Sequence, residues 1–160
     1  MRVGLKQVLD CEPEAAWDAI RSPRVLRELY APALALEPLA DEGFPEFWRD
    51  GDELPCRVSA LWGTIPLGEQ TVAISIYDRG DARILEDHGG PTSGALGLVR
   101  TWRHRMAVSP APGGGTLYRD RLDFSAGVLS AAAWPVLWSA WQGRGARIRQ
   151  LASTWKPTTA

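Results

Sequence analysis

An α+β fold, with a curved antiparallel sheet closed against one long C-terminal helix, is what this sequence predicts, and three observations predict it. The first is the stretch Val128–Trp155, where Trp134, Trp138, Trp141, Gly145, Ile148, Ala152 and Trp155 recur at alternating steps of four and three and so share one helical stripe. The second is that the chain before it consists of short segments alternating between apolar and polar residues, which are strands rather than helices of comparable length. The third is a pair of short helical patterns, each opened by a proline, directly after the first of those segments.

The elements follow in order. Val3, Leu5, Gln7 and Leu9 alternate with polar residues, giving a strand with one covered face on which Gln7 is the polar exception. In CEPEAAWDAIRSP, Pro13 opens a helix with Ala16, Trp17 and Ile20 at helical spacing, and Ser22-Pro23 restarts the chain as a second helix over Arg24–Tyr30. Leu34–Leu39 reads as a strand weakened by Pro38. The following DEGFPEFWRDGDELP is a loop whose Phe44, Phe47 and Trp48 either plug the domain or gate an opening. Cys56–Trp62, Val72–Tyr77 and Arg83–His88 are three further strands; in the last, Ile84, Glu86 and His88 share one face and Leu85 and Asp87 the other.

The last two strands, Leu98–Val108 and Thr116–Phe124, flank SPAPGGG and form a hairpin, making seven strands in all. Arg103 and Arg105 point one way, so Trp102, His104, Met106 and Val108 point the other. Arg119, Arg121 and Asp123 share the outer face of the partner strand, leaving Tyr118, Asp120, Leu122 and Phe124 inside. Pairing Val108 with Thr116 sets His104 directly opposite Asp120. In the final helix Pro135 lies in the first turns, where its missing N–H is tolerated or kinks the axis. Gly145 leaves a gap in the Trp stripe, so this helix either completes an ordinary core or roofs a hollow. Residues 1–156 form a single domain and residues 157–160 a frayed tail.

Composition narrows the function. With 160 residues the chain can bury a sizeable core, and a net charge of -1 supplies no field favouring nucleic acid or an anionic membrane. There is no signal-peptide pattern and no apolar run of roughly 18 residues, which implies a cytoplasmic protein without stable membrane insertion, monomeric or homodimeric. Cys11 and Cys56 read as free thiols. Tryptophan is the outlier at 8 residues, a bulky amphipathic type used both in cores and in apolar pockets.

The element order is that of the helix-grip fold, and the sequence resembles the superfamily of START lipid-transfer domains, Bet v 1 allergens and bacterial polyketide cyclase/dehydrase-like proteins. The likeness to the bacterial members rests on Asp87 with Gly90-Pro91, Trp102 with His104, Gly115-Thr116, Asp120, and Arg147 with Ile148. The insertion SGALGLVR separates Gly90-Pro91 from Trp102, where related chains run more directly into the Trp-x-His strand. The resemblance implies an apolar cavity between sheet and helix that takes a lipid, sterol or polyketide-like molecule, and in a minority of members catalyses cyclisation or dehydration.

Candidate chemistry centres on His104 and Asp120, a pair able to act as general base and its orienting carboxylate, or simply to satisfy each other in the core. Gln7, Trp62, Ile74, Glu86, Arg100, Trp102, Tyr118, Trp134, Trp138, Trp141 and Gly145 complete the candidate ligand contacts. Asp87-His88 has no third His to make a metal site, and no cofactor is called for. No Ser lies in a G-x-S-x-G elbow and neither Cys has an evident activating base. Arg144, Arg147 and Arg149 read as an exposed ridge, solvated or facing an acidic partner. Three functions follow: a carrier or sensor of a small hydrophobic molecule, a cyclase or dehydratase using His104, or a protein-interaction module with a filled interior.

Overall fold

The computed structural model describes residues 1–157; the last three residues of the predicted tail lie outside the described residues. Strand β1 spans Arg2–Leu9, followed by helices α1 (Pro13–Arg21) and α2 (Pro23–Tyr30), each with its proline in the first turn. Strands β2 (Leu34–Pro38), β3 (Glu53–Ala60), β4 (Ile65–Arg79), β5 (Ala82–Asp87), β6 (Gly90–Pro91), β7 (Thr101–Pro110) and β8 (Thr116–Ser125) follow, and helix α3 (Ser130–Ala152) ends the domain. The spatial order is β1-β8-β7-β5-β4-β3-β2, antiparallel throughout, with the two-residue β6 against β4. This is the helix-grip architecture.

Sequence alternation explains which side of the sheet is covered. Along β8 the residues Thr116, Tyr118, Asp120, Leu122 and Phe124 are buried, while the residues between them are partly exposed. α1 packs Trp17, 2% exposed, and Ile20 into the core, and the guanidinium of Arg83 lies over the Trp17 ring at 4.5 Å. The long strand β4 serves two neighbours, pairing β3 through its first half and β5 from Ile74 onward, so the sheet bends there. Gly89 permits a close crossing at this bend: a Cβ there would meet the Thr71 carbonyl oxygen at 1.9 Å.

α3 differs from its sequence reading in three ways. It starts two residues later than Val128, after a 3-10 turn over Gly127–Leu129 that the Ser130 hydroxyl ties by donating to the Gly127 carbonyl and accepting from the Ala126 N–H. It ends before Trp155. Its buried face is Trp141, Arg144, Gly145, Ile148 and Ala152, so Arg144 belongs inside and not on an exposed ridge. Trp134 and Trp138 stack on each other at 6.3 Å near the β1 edge, where the Trp134 indole N–H donates to the Arg2 carbonyl. Trp138 is 45% exposed.

Candidate functional site

Between the concave face and α3 lies a cavity of about 840 Å³. Its volume falls in the range of small-molecule sites. Leu36, Val58, Val72, Ile74 and Leu85 line it from the sheet, and Leu29 and Tyr30 from α2. Of the loop aromatics Trp48 closes part of the wall, 2% exposed and edge-on to Phe44 at 5.7 Å. Exposed lining residues Pro32, Val136, Gly143, Arg147 and Gln150 mark its mouth, between the α2–β2 connection and α3.

A buried polar cluster stands at one wall. The Asp120 carboxylate accepts four hydrogen bonds: from His104 Nε2 (2.7 Å) and Trp141 Nε1 (2.9 Å) on Oδ1, and from Tyr118 Oη (2.8 Å) and Arg144 Nε (2.9 Å) on Oδ2. Burial alone would push this carboxyl up, but His104, Arg144 and the hydrogen bonds outweigh it and hold Asp120 well below the usual carboxylate range. Tyr118 is pushed well up, by burial first and by Asp120 second. Burial disfavours charge on Arg144 as well, yet Tyr30, Tyr118 and Asp120 around it raise its affinity for the proton. The Tyr30 ring covers the guanidinium at 4.9 Å, and Arg144 Nη1 has no hydrogen-bond partner among the described residues.

Because a carboxylate only accepts, His104 must carry its proton on Nε2. Nδ1 has no protein partner among the described residues. The His104 ring stands edge-on to Trp141 (5.1 Å) and Trp102 (6.5 Å), and all three line the cavity. Asp120 therefore cannot exchange protons with a ligand, since both its oxygens are fully engaged; it fixes the tautomer and position of His104.

The hairpin register corrects the sequence reading. Pro110, not Val108, pairs with Thr116, so His104 faces Leu122, Met106 faces Asp120, and the His104–Asp120 contact is diagonal. Across the other edge of β7, His104 pairs with Asp87 of β5. Asp87 lines the cavity, and its Oδ1 accepts the N–H groups of Ala73 and Gly89, each at 3.1 Å.

Of the candidate ligand contacts, Ile74, Trp102, His104 and Trp141 reach the cavity wall. Tyr118 and Asp120 lie immediately behind it, fully buried. The others are placed elsewhere. Gln7 Nε2 donates to the Gly145 carbonyl at 3.1 Å and its Oε1 accepts from Arg149. Gly145 is not a gap over a hollow: a Cβ there would stand 2.8 Å from Leu5 Cδ2, so it is where α3 presses closest on β1. Trp62 is 76% exposed because the strand stops at Ala60 and the chain turns through left-handed φ at Leu61 and Trp62. Glu86 points to the convex face, bound by Arg103, by Tyr77 Oη at 2.8 Å and by Arg105 at 3.2 Å, and these partners outweigh burial and lower its pKa. Arg100 precedes the ladder of β7 and packs its guanidinium by Gly127. Trp134 and Trp138 stay outside the cavity lining, on the flank of α3 toward β1.

Among the wall residues with polar atoms that sequence reasoning missed are Tyr30, Asp87 and Arg144. A signal existed for the last, since an inward Asp120 requires a cation and Arg144 is three residues from Trp141 and four from Ile148.

With this geometry in hand, comparison with known proteins is informative about architecture. No family model matches the chain, and no curated protein does. Solved structures do match. Norcoclaurine synthase from Thalictrum flavum, in complex with dopamine and hydroxybenzaldehyde, superposes with a TM-score of 0.63 at 15% identity over 98% of this chain and 88% of that one. A hypothetical protein from Helicobacter pylori gives 0.68 at 9% identity, covering 95% and 88%. A structural-genomics protein from Chromobacterium violaceum gives 0.62 at 15%, covering 95% and 96%. The likeness is one of fold. The chain has a Bet v 1-like, helix-grip architecture, no helix among the described residues is long and apolar enough to cross a membrane, and both cysteines are free.

Proposed function

We propose that this protein binds a small hydrophobic molecule, of lipid, sterol or polyketide-like kind, between sheet and α3, as a cytoplasmic carrier or sensor of the START/Bet v 1-like superfamily. The observation that carries this is the cavity of about 840 Å³ with its apolar walls and single polar flank. Burying a ligand there contributes roughly 25 cal/mol per Å² of apolar surface, and the polar flank orients one end. A fold neighbour crystallised with two small aromatic molecules is in keeping with this use. The hollow favours this reading over a filled-interior interaction module. Titration with fatty acids, sterols and aromatic polyketides, followed by Trp fluorescence, tests the reading, because Trp102 and Trp141 line the cavity. Saturable quenching or a spectral shift is the expected result; silence across the whole panel refutes it.

A second reading, a cyclase or dehydratase, is favoured by one feature: His104 is held by Asp120 through Nε2, leaving Nδ1 without a partner among the described residues. In this reading His104 abstracts a proton alpha to a ligand carbonyl while Asp120 holds the ring. His104→Gln then abolishes turnover and leaves ligand affinity nearly intact; surviving turnover removes His104 from the chemistry.

A further inference from the structure

The carboxyl on the cavity wall is that of Asp87, not Asp120. Asp87 and His104 are direct cross-strand partners on the cavity side of β5 and β7, a relation that brings Cβ atoms to roughly 4.5–5.5 Å. Asp87 spends Oδ1 on two backbone N–H groups, at Ala73 and Gly89. Burial pushes Asp87 up from the ordinary carboxylate value, and the two N–H groups and His104 offset this only in part.

Charge bookkeeping around the pair distinguishes ligand head groups. Arg144 is already matched by Asp120, the two being 2.9 Å apart and almost wholly buried. That leaves Asp87 as the unmatched acid on the cavity wall, beside an imidazole whose Nδ1 is free of protein partners. A ligand carboxylate placed here would confront Asp87 at close range; of the two cations on the lining, Arg144 already has Asp120 as its counter-charge and Arg147 stands at the exposed mouth. A hydroxyl, by contrast, donates to Asp87 or His104 without adding charge. The edge-on trio Trp102, His104 and Trp141 beside them supplies flat apolar surface for an aromatic ring.

We propose that Asp87 and His104 form the head-group site of the cavity and select an uncharged aromatic hydroxyl, a phenol, over the corresponding carboxylate. This rests on the cavity being a ligand site. The test uses a matched pair of probes, hydroxypyrene and pyrenecarboxylate, titrated calorimetrically at neutral pH into the intact protein and into Asp87→Asn. The variant keeps an oxygen for the Ala73 and Gly89 N–H groups but carries no charge. The phenol is expected to bind the intact protein at least about tenfold more tightly than the carboxylate, and Asp87→Asn to erase most of that ratio by strengthening carboxylate binding. Equal or stronger carboxylate binding to the intact protein overturns the proposal without needing the variant, as does a ratio that Asp87→Asn leaves unchanged. Uptake of neither probe is a different failure, that of the ligand-binding reading itself, and the head-group assignment falls with it.

Discussion

Removing the Asp120 carboxylate perturbs the site most sharply, and its cost follows from its partners. Asp120→Ala leaves Arg144, with 2% of its side chain exposed, as an uncompensated buried cation. Breaking one side of a buried ion pair costs about 3–5 kcal/mol. Three further donors, on His104, Trp141 and Tyr118, lose their acceptor at the same time. Each such loss is worth about 1–3 kcal/mol when no water replaces it, but the adjoining cavity admits water, so the total expected is about 5 kcal/mol. Arg144→Met strands the other charge and costs less, about 3 kcal/mol, at the low end of the range for a broken buried pair, because Asp120 keeps those three donors.

The double variant then costs well under the sum, with a coupling of about 2–3 kcal/mol, since the second change removes the charge that the first left stranded. Urea unfolding followed by far-UV circular dichroism measures all three, with slopes checked for constancy. Additivity within about 0.5 kcal/mol refutes the reasoning. The pH dependence has a defined sign. The folded pKa of Asp120 lies below its unfolded value of about 3.9, so its stabilisation is fully present above that value and is lost as pH falls through the depressed folded pKa.

Three further outcomes follow from the same geometry. Asp87 has the opposite sign: its raised folded pKa makes the native state weaker as pH climbs past about 3.9, so Asp87→Asn stabilises at neutral pH and the gain vanishes in acid, as paired melting curves will show. Gly89→Ala forces a Cβ to within 1.9 Å of a backbone oxygen and destabilises by about 1–3 kcal/mol in urea unfolding, the cost typical of overpacking. Glu86→Gln disturbs only the convex-face cluster with Arg103, Arg105 and Tyr77, so ligand affinity measured by fluorescence titration stays unchanged even if the melting temperature falls.

Element order and the inward faces of β7 and β8 were legible because both depend on local pattern. Register was not, and the reason lies in Pro110. Read as a turn residue, it instead ends β7 opposite Thr116, which shortens the hairpin loop and slides the pairing by two. An even slip preserves which side chains point inward. His104 and Asp120 therefore stayed on the same face and still met, diagonally at 2.7 Å, although their assumed opposition was wrong. Asp87 escaped for a different reason: the alternation along β5 puts Glu86 and Asp87 on opposite faces without telling which is covered, and it is Leu85 and Asp87 that line the cavity.

α3 was harder for a different reason. From Ala126 to Gly143 the chain has no charged residue, so apolar periodicity there gives a helix but no direction for its face. The Trp stripe consequently assigned Trp134 and Trp138 to the interior and Arg144 to solvent. What orients the helix is polar: Asp120 is the inward acid of β8, and carrying it into the core demands several donors from the opposite wall. Trp141 and Arg144, three residues apart on one face, supply two of them and rotate α3 until both reach the carboxylate. The rotation brings Gly145 down onto Leu5, and the hollow stays open between Trp141 and the strands beyond β7. In this fold the buried charge is what aims the helix, and the space left over by that aim is the site.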